Sequence, residues 1–194
     1  MQTKPVIPPD YLALIASDRV SPRTREVLEA RIVGPAATPG VLSDAQRATL
    51  EALLARVIPQ AENAIDLAGT IIARLATGKG DGWRYAVLPE DAQAYREGLD
   101  RLAAQGFITL DAAAQDAILT AFAAQKNTPD ARWFEEVRGD AVTAYMAHPA
   151  TLARVGYSGI GVGGPNTPHH GFVQVGINDR EAWEPMPTRT GDPK

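Results

Sequence analysis

Helix-start signals recur along this chain, and apolar residues at helical spacing follow each one. Ser21-Pro22 joins a side chain that can cap free backbone N–H groups to a proline suited to the first helical position. Ser43 and Gln46 have the spacing of a capping box, and a run of leucines with a period near 3.6 follows. Thr128-Pro129 opens the longest such segment. These signals predict a fold built from packed helices.

The remaining helix boundaries are also visible in the sequence. Pro9-Asp10, Pro89–Asp91 and Leu110-Asp111 predict three further helix starts. Gly34-Pro35 predicts the end of the second helix, and His148-Pro149 predicts the end, or a kink, of the longest one. The second helix is predicted to bury one stripe, formed by Val27, Leu28 and Ile32.

From Gly156 onward the composition changes. Of the 39 residues in 156–194, eight are glycine and five are proline, too many for regular helix. Phe172–Val175 is the only strand-like run in this part. Aromatic residues persist there, whereas disordered tails are usually poor in them. We therefore predict an all-α fold: an irregular multi-helix domain with an extended, Gly/Pro-rich C-terminal arm that packs on this domain or on a partner.

Length and composition limit the organisation and the possible partners. A chain of 194 residues with 45% apolar residues can form one domain, predicted here as short N-terminal helices and a linker (1–41), a helical domain (42–155) and the arm (156–194). The net charge of −4 argues against a nucleic-acid binder. The absence of cysteine removes thiolate chemistry and disulfides. No apolar stretch approaches the roughly 20 residues that span a bilayer, so direct membrane insertion is not expected.

Three glycine- or histidine-containing motifs suggest ligand binding but lack the context that it requires. Gly159–Gly164 matches GxGxxG, yet a helix precedes it and prolines follow it, so dinucleotide binding is not predicted. The loop Gly78–Gly82 lacks the rest of a P-loop. His169 and His170 are adjacent and have no cluster of further ligands nearby, so no metal site is predicted.

Acidic residues of the longest helix offer the best candidates for acid–base chemistry. Glu136 and Asp140 are four residues apart and can share one helix face, beside Glu135. A solvated or interfacial acidic face is the simpler interpretation, because catalysis needs a pocket that shifts their pKa values. His148 is expected to be a C-cap histidine favoured by the helix dipole. No catalytic residue is predicted.

Aromatic residues are the candidates for contact with a partner, since large rigid rings dominate interface energetics. Trp133 and Phe134 are expected to be core residues first and interface residues second. Trp83 and Trp183 lie in predicted loops, where an aromatic side chain has fewer core neighbours. The full set of interface candidates is Trp83, Trp133, Phe134, Tyr157, Phe172 and Trp183.

Three segments resemble the gluconate 2-dehydrogenase subunit 3 family. Trp133–Pro149 followed by Arg154–Tyr157 resembles its aromatic pair, aromatic helix end, X-Pro turn and "GY" segment. Leu42–Pro59 resembles its opening helix, which ends in "VIP", and Leu110–Gln115 is similar to its middle part. The resemblance extends over about residues 42–185.

The resemblance implies a non-catalytic small subunit that binds and stabilises a flavoprotein of the glucose–methanol–choline family, an FAD-dependent sugar or polyol dehydrogenase. FAD is then expected in the partner and no cofactor in this chain. A cytochrome or another electron acceptor completes many such complexes. Many small subunits carry a twin-arginine signal, but Met1–Asp10 has no Arg-Arg pair. A cytoplasmic complex is therefore expected, with export to the periplasm alongside a partner as the alternative.

Two other functions stay open at this point. One is an enzyme that uses Glu136 and Asp140, with His148 or His169, around a pocket. The other is a free-standing helical adaptor with no redox partner.

Overall fold

The computed structural model describes residues 5–36, 38–60, 65–78, 80, 83–157 and 159–161. Within these ranges the chain forms α-helices and two short 3₁₀ helices, and no strand. The predicted all-α class is confirmed. The strand-like run Phe172–Val175 and most of the predicted arm lie outside the described residues.

The α-helices follow one another with short connections. They are α1 (Pro9–Ala16), α2 (Pro22–Val33), α3 (Asp44–Val57), α4 (Leu67–Thr77), α5 (Asp91–Ala103), α6 (Ala112–Ala124), α7 (Pro129–Ala147) and α8 (Pro149–Arg154). The 3₁₀ helices are Phe107–Thr109, before α6, and Gly159–Gly161, after α8.

Side-chain caps set the helix starts where the sequence predicted them. The hydroxyl of Ser43 accepts from the Gln46 N–H, and the Gln46 side chain accepts from the Ser43 N–H, which completes the capping box. Ser21, Asp111 and Thr128 cap α2, α6 and α7 with a side-chain oxygen that accepts one backbone N–H of the first turn, without the reciprocal bond. Gly34 ends α2 with a positive φ of 81°, which glycine adopts without strain.

The main core lies among α3 to α7. Leu50 and Leu53 of α3, Ile71 of α4 and Leu99 of α5 are almost fully buried there, together with Trp133 of α7. At the centre, the Trp133 ring packs directly over Gly98 of α5, where a Cβ atom would lie only 2.2 Å from the ring. This close approach explains a glycine in the middle of α5.

A second, smaller core joins the two ends of the described chain. Tyr11 and Ile15 of α1 and Leu28 of α2 pack against Ile160 of the last 3₁₀ helix. The Tyr11 hydroxyl donates to the Tyr157 carbonyl at 2.9 Å. The predicted buried stripe of α2 is therefore wrong in part: Leu28 is buried, but Val27 is 38% exposed because α2 turns that side toward an open cleft.

Candidate functional site

The aromatic interface candidates separate into exposed and buried residues. Trp83 and Tyr157 are 60% and 51% exposed. Trp133 and Phe134 are 0% and 6% exposed and belong to the main core. This burial agrees with their first interpretation, as core residues, and leaves little of either ring exposed for a partner. Phe172 and Trp183 lie outside the described residues.

Trp83 belongs to an aromatic cluster, which we define as Trp83, Tyr85, Arg132 and Glu135. The Trp83 and Tyr85 rings meet edge to face, with centroids 4.4 Å apart. The Arg132 guanidinium lies 4.2 Å from the centroid of the Tyr85 ring, a cation–π distance. Arg132 Nη1 also donates to Glu135 Oε2 at 2.6 Å. The segment before α5 is thereby tied to the first turns of α7.

The electrostatics of the aromatic cluster agree with this geometry. Desolvation, and then the hydrogen bond to Glu135, raise the pKa of Tyr85. The hydrogen bond from Arg132, followed by that from Tyr85, lowers the pKa of Glu135. Tyr85 therefore remains a neutral donor and Glu135 an anion near pH 7. An exposed Trp held in place by such neighbours is the arrangement typical of an interface hot spot.

Asp140 is not a free carboxylate on a solvated face. Its Oδ2 accepts from the Tyr95 hydroxyl at 2.6 Å and from Nη2 of Arg74. Arg74 Nη1 also donates to Asp91 Oδ2 at 3.0 Å. These contacts join α4, α5 and α7, so Asp140 serves to hold three helices together.

Tyr95 in this network is almost completely buried. Burial first, and then the neighbouring Asp140, raise the pKa of Tyr95 well above its usual range. The Tyr95 hydroxyl therefore stays protonated and donates a hydrogen bond to Asp140. Glu135 directs its carboxylate to Arg132 and is not part of this network. Glu136, the other member of the predicted pair, lines a small cavity with Arg84 and Tyr95.

His148 occupies the predicted C-cap position and has a second role there. It lies at the C-cap position of α7, but its Nδ1 accepts from the Ala150 N–H at 3.1 Å and so caps the start of α8. An accepting nitrogen must be unprotonated. Burial is the main cause that lowers the pKa of His148, against a hydrogen bond with the backbone of Arg31. The predicted C-cap position is therefore confirmed, whereas the lowered pKa does not indicate the charge that the α7 dipole would favour.

A cleft opens between α2, α4 and α7. Its volume is about 530 Å³, and its walls are mostly aliphatic, with Arg31, Arg74, Asp140 and His148 at its margins. We call this cavity the α2 cleft. Asp140 and His148, two members of the enzyme hypothesis, both line it, but Asp140 is engaged by Arg74 and Tyr95, and His148 by the α8 backbone.

Neither a metal centre nor a membrane span is visible in the described part. No three His, Cys, Asp or Glu side chains of those residues are close enough together to hold a metal ion. No helix there has the length and hydropathy needed to cross a membrane. His169 and His170 lie outside the described residues, as does the second half of the GxGxxG motif.

The sequence did not reveal Tyr85, Arg132, Arg74 or Tyr95 as site residues. Arg74 and Tyr95 lie on other helices than Asp140 and are 66 and 45 residues away from it along the chain. No spacing rule therefore connects them. Tyr85 stands two residues after Trp83, the one signal that could have marked an aromatic pair.

Comparison with known proteins gives one match. A family model described as gluconate 2-dehydrogenase subunit 3 matches residues 44–164, which is more than half of the chain. This range contains α3 to α8 and both parts of the aromatic cluster, but neither α1 nor α2. No curated protein and no solved structure matches the chain.

Proposed function

This chain belongs to the gluconate 2-dehydrogenase subunit 3 family, and from that premise we propose that it is the non-catalytic small subunit of an FAD-dependent sugar or polyol dehydrogenase. The family match over residues 44–164 carries the proposal, because a subunit of a dehydrogenase acts within a multi-subunit complex. The partner is then a flavoprotein of the glucose–methanol–choline family. FAD belongs to that partner, and a cytochrome or another electron acceptor takes up the electrons.

The small subunit stabilises its partner by mass action. A protein that binds the folded flavoprotein but not the unfolded chain adds about 2.7 kcal/mol to its stability when present at a hundred times the dissociation constant. Such binding also helps the flavoprotein to mature. We place the complex in the cytoplasm, with export of the folded pair to the periplasm as the alternative.

The aromatic cluster supports a contact surface of this kind. Trp83 exposes 60% of its area, while its neighbour Tyr85 is held by Arg132 and Glu135. A side chain that is already positioned loses little conformational entropy on binding, so more of its burial appears as affinity. Tyr157 is a second exposed aromatic candidate, at the start of the predicted arm.

The enzyme hypothesis has less support. A general base needs a free lone pair within reach of a substrate proton. Asp140 directs Oδ2 to Tyr95 and Arg74, and His148 uses Nδ1 to cap α8. These two atoms therefore already have structural partners.

Co-purification tests the proposal. A candidate flavoprotein of the glucose–methanol–choline family from the same genome is tagged, this chain is co-expressed untagged, and the tagged protein is captured. We expect a stoichiometric yellow complex. A flavoprotein that folds and purifies alone, with this chain left in the flow-through, would contradict the proposal and favour a free-standing adaptor.

Two variants locate the contact surface within the same assay. Trp83→Ala is expected to weaken capture by about tenfold or more, because hot-spot truncations cost about 2 kcal/mol or more. Ile108→Ala is the matched control, an exposed apolar residue in the 3₁₀ helix before α6.

Deletion of residues 162–194 tests the arm separately, because it leaves both described cores intact. We expect this deletion to abolish capture.

A further inference from the structure

The α2 cleft has the dimensions and lining of a small-molecule site. Its volume of about 530 Å³ falls within the range of roughly 300–1,000 Å³ that is usual for ligand pockets. Ile71 and Ala144 form part of its lining, and Val27 and Ala30 of α2 lie on the other side. An apolar cavity with a few polar groups at its margins is the usual form of such a site.

Small side chains keep the cleft open. Seven of its fourteen lining residues are glycine, alanine or threonine: Ala30, Gly34, Thr70, Ala73, Thr143, Ala144 and Ala147. Protein interiors are normally packed to crystal-like density, and larger aliphatic residues would close such a space. The cleft is therefore shaped by its sequence and is not a gap left by one misplaced side chain.

The α2 wall is attached at one end of the cleft. Arg31 Nη1 donates to the Ala147 carbonyl at 3.2 Å, and His148 forms a hydrogen bond with the backbone of Arg31. Both links hold the C-terminal half of α2 against the junction of α7 and α8. The cleft thus exists before any ligand arrives.

Charge is unevenly balanced along the cleft. At one end, the Arg74 guanidinium is neutralised by Asp91 and Asp140. At the other end, Arg31 forms no salt bridge with any carboxylate of the described residues. Its side-chain contact is the Ala147 carbonyl, so this cation is available to an anion.

The two ends define the length of a suitable ligand. Asp140 and Ala147 are seven residues apart on α7, which corresponds to about 10 Å at a rise of 1.5 Å per residue. We propose that the α2 cleft binds an amphipathic small molecule, with an apolar body about 10 Å long along Thr143 and Ala144 and one anionic head group at Arg31. Arg31 and α2 lie outside the residues that the family model matches, so this site goes beyond the proposed subunit function.

A matched pair of fluorescent probes tests the site on the full chain. The anionic probe is 1-anilinonaphthalene-8-sulfonate, and the neutral probe is N-phenyl-1-naphthylamine, which has the same rings without the sulfonate. We expect both to bind with a stoichiometry of one. Arg31→Gln keeps an amide donor for the Ala147 carbonyl and removes the charge. It should weaken binding of the anionic probe about tenfold, the usual scale of one charge-assisted contact, and weaken binding of the neutral probe much less.

A cavity-filling variant distinguishes the cleft from general apolar surface. Ala30→Trp places a large ring in the cleft from an exposed position of α2 and should abolish binding of both probes. Ala121→Trp is the matched control, since Ala121 is exposed on α6 and does not line the cleft. Circular dichroism of both variants confirms that they fold.

The proposal is overturned by any of three results. The first is the absence of probe binding. The second is an equal loss of affinity for both probes in Arg31→Gln, and the third is equal probe affinity in Ala30→Trp and Ala121→Trp. It is also overturned if Ala30→Trp leaves probe binding intact but prevents capture of the flavoprotein, because the cleft would then be a groove for the partner. Failure of the flavoprotein capture in the unmodified chain concerns the proposed function alone and leaves the probe result standing.

Discussion

Replacing Gly98 by alanine should destabilise this protein, although alanine is the better helix former. A Cβ atom at this position in α5 would lie 2.2 Å from the Trp133 ring, and ordinary contact begins at 3.4 Å. The ring would therefore have to retreat by 3.4 − 2.2 = 1.2 Å. Trp133 is 0% exposed and packs edge to face on Phe122, and the cavity beside it is only about 10 Å³, so the ring has little space to enter.

The expected magnitude combines two opposing effects. Overpacking of a core typically costs about 1–3 kcal/mol, and a clash of this size lies at the upper end. Replacing glycine by alanine within a helix stabilises the folded state by about 0.5–1 kcal/mol. The net loss in free energy of unfolding is about 2 kcal/mol, which lowers the urea midpoint by about 1 M if the m-value is about 2 kcal/mol/M.

Gly139→Ala supplies the matched control. Gly139 lies in α7, is exposed, and has no atom within 4 Å of the position of a Cβ. This variant should gain about 0.5–1 kcal/mol from helix propensity alone. Urea unfolding followed by circular dichroism at 222 nm measures both variants. Equal midpoints for Gly98→Ala and Gly139→Ala would refute the close packing of α5 against α7.

Two further predictions concern His148, which caps α8, and Asp140, which joins three helices. Because burial lowers the pKa of folded His148, the unfolded chain binds more protons, and stability should fall as pH drops through about 6.5, the usual value for histidine. His148→Asn keeps a capping acceptor but cannot titrate, so its urea midpoint should vary less than that of the unmodified chain between pH 7.5 and 5.5; an identical pH profile would show that another group is responsible. Asp140→Asn should cost about 2 kcal/mol, because it removes the charge that accepts from Tyr95 and Arg74. Asp116→Asn breaks only an exposed pair with Arg56 and should change stability by less than about 1 kcal/mol, so equal thermal unfolding of the two variants would count against the network.

The helices themselves were predictable because their signals are local. Ser43 and Gln46 are three residues apart and form the capping box that their spacing predicted. The longest helix likewise ends at His148-Pro149, where the sequence predicted an end or a kink, and the short α8 follows. Such features depend on neighbours within one turn, and a single sequence contains those neighbours.

The candidate sites were less predictable because their members come from different helices. The exposure of Trp83 could be expected from its loop. Its edge-to-face contact with Tyr85, and the position of Arg132 over the Tyr85 ring, depend on how α7 passes that loop. Asp140 was placed on an acidic face, whereas its environment is set by Arg74 of α4 and Tyr95 of α5. His148 was predicted at the C-cap of α7, where it lies, but the sequence did not show that its Nδ1 accepts from the backbone N–H that starts α8.

The sequence by itself determined which segments are helical, where most of them begin and end, and which family the chain resembles, because caps, glycines, prolines and apolar periodicity act over a few residues. Only the tertiary structure decided which side of α2 is covered, that Asp140 is bound by Arg74 and Tyr95, and that a cleft remains between α2, α4 and α7. The physical reason is that burial and desolvation are properties of the space between elements. That space depends on side chains such as Gly98 and Ala144, whose neighbours are far away along the chain.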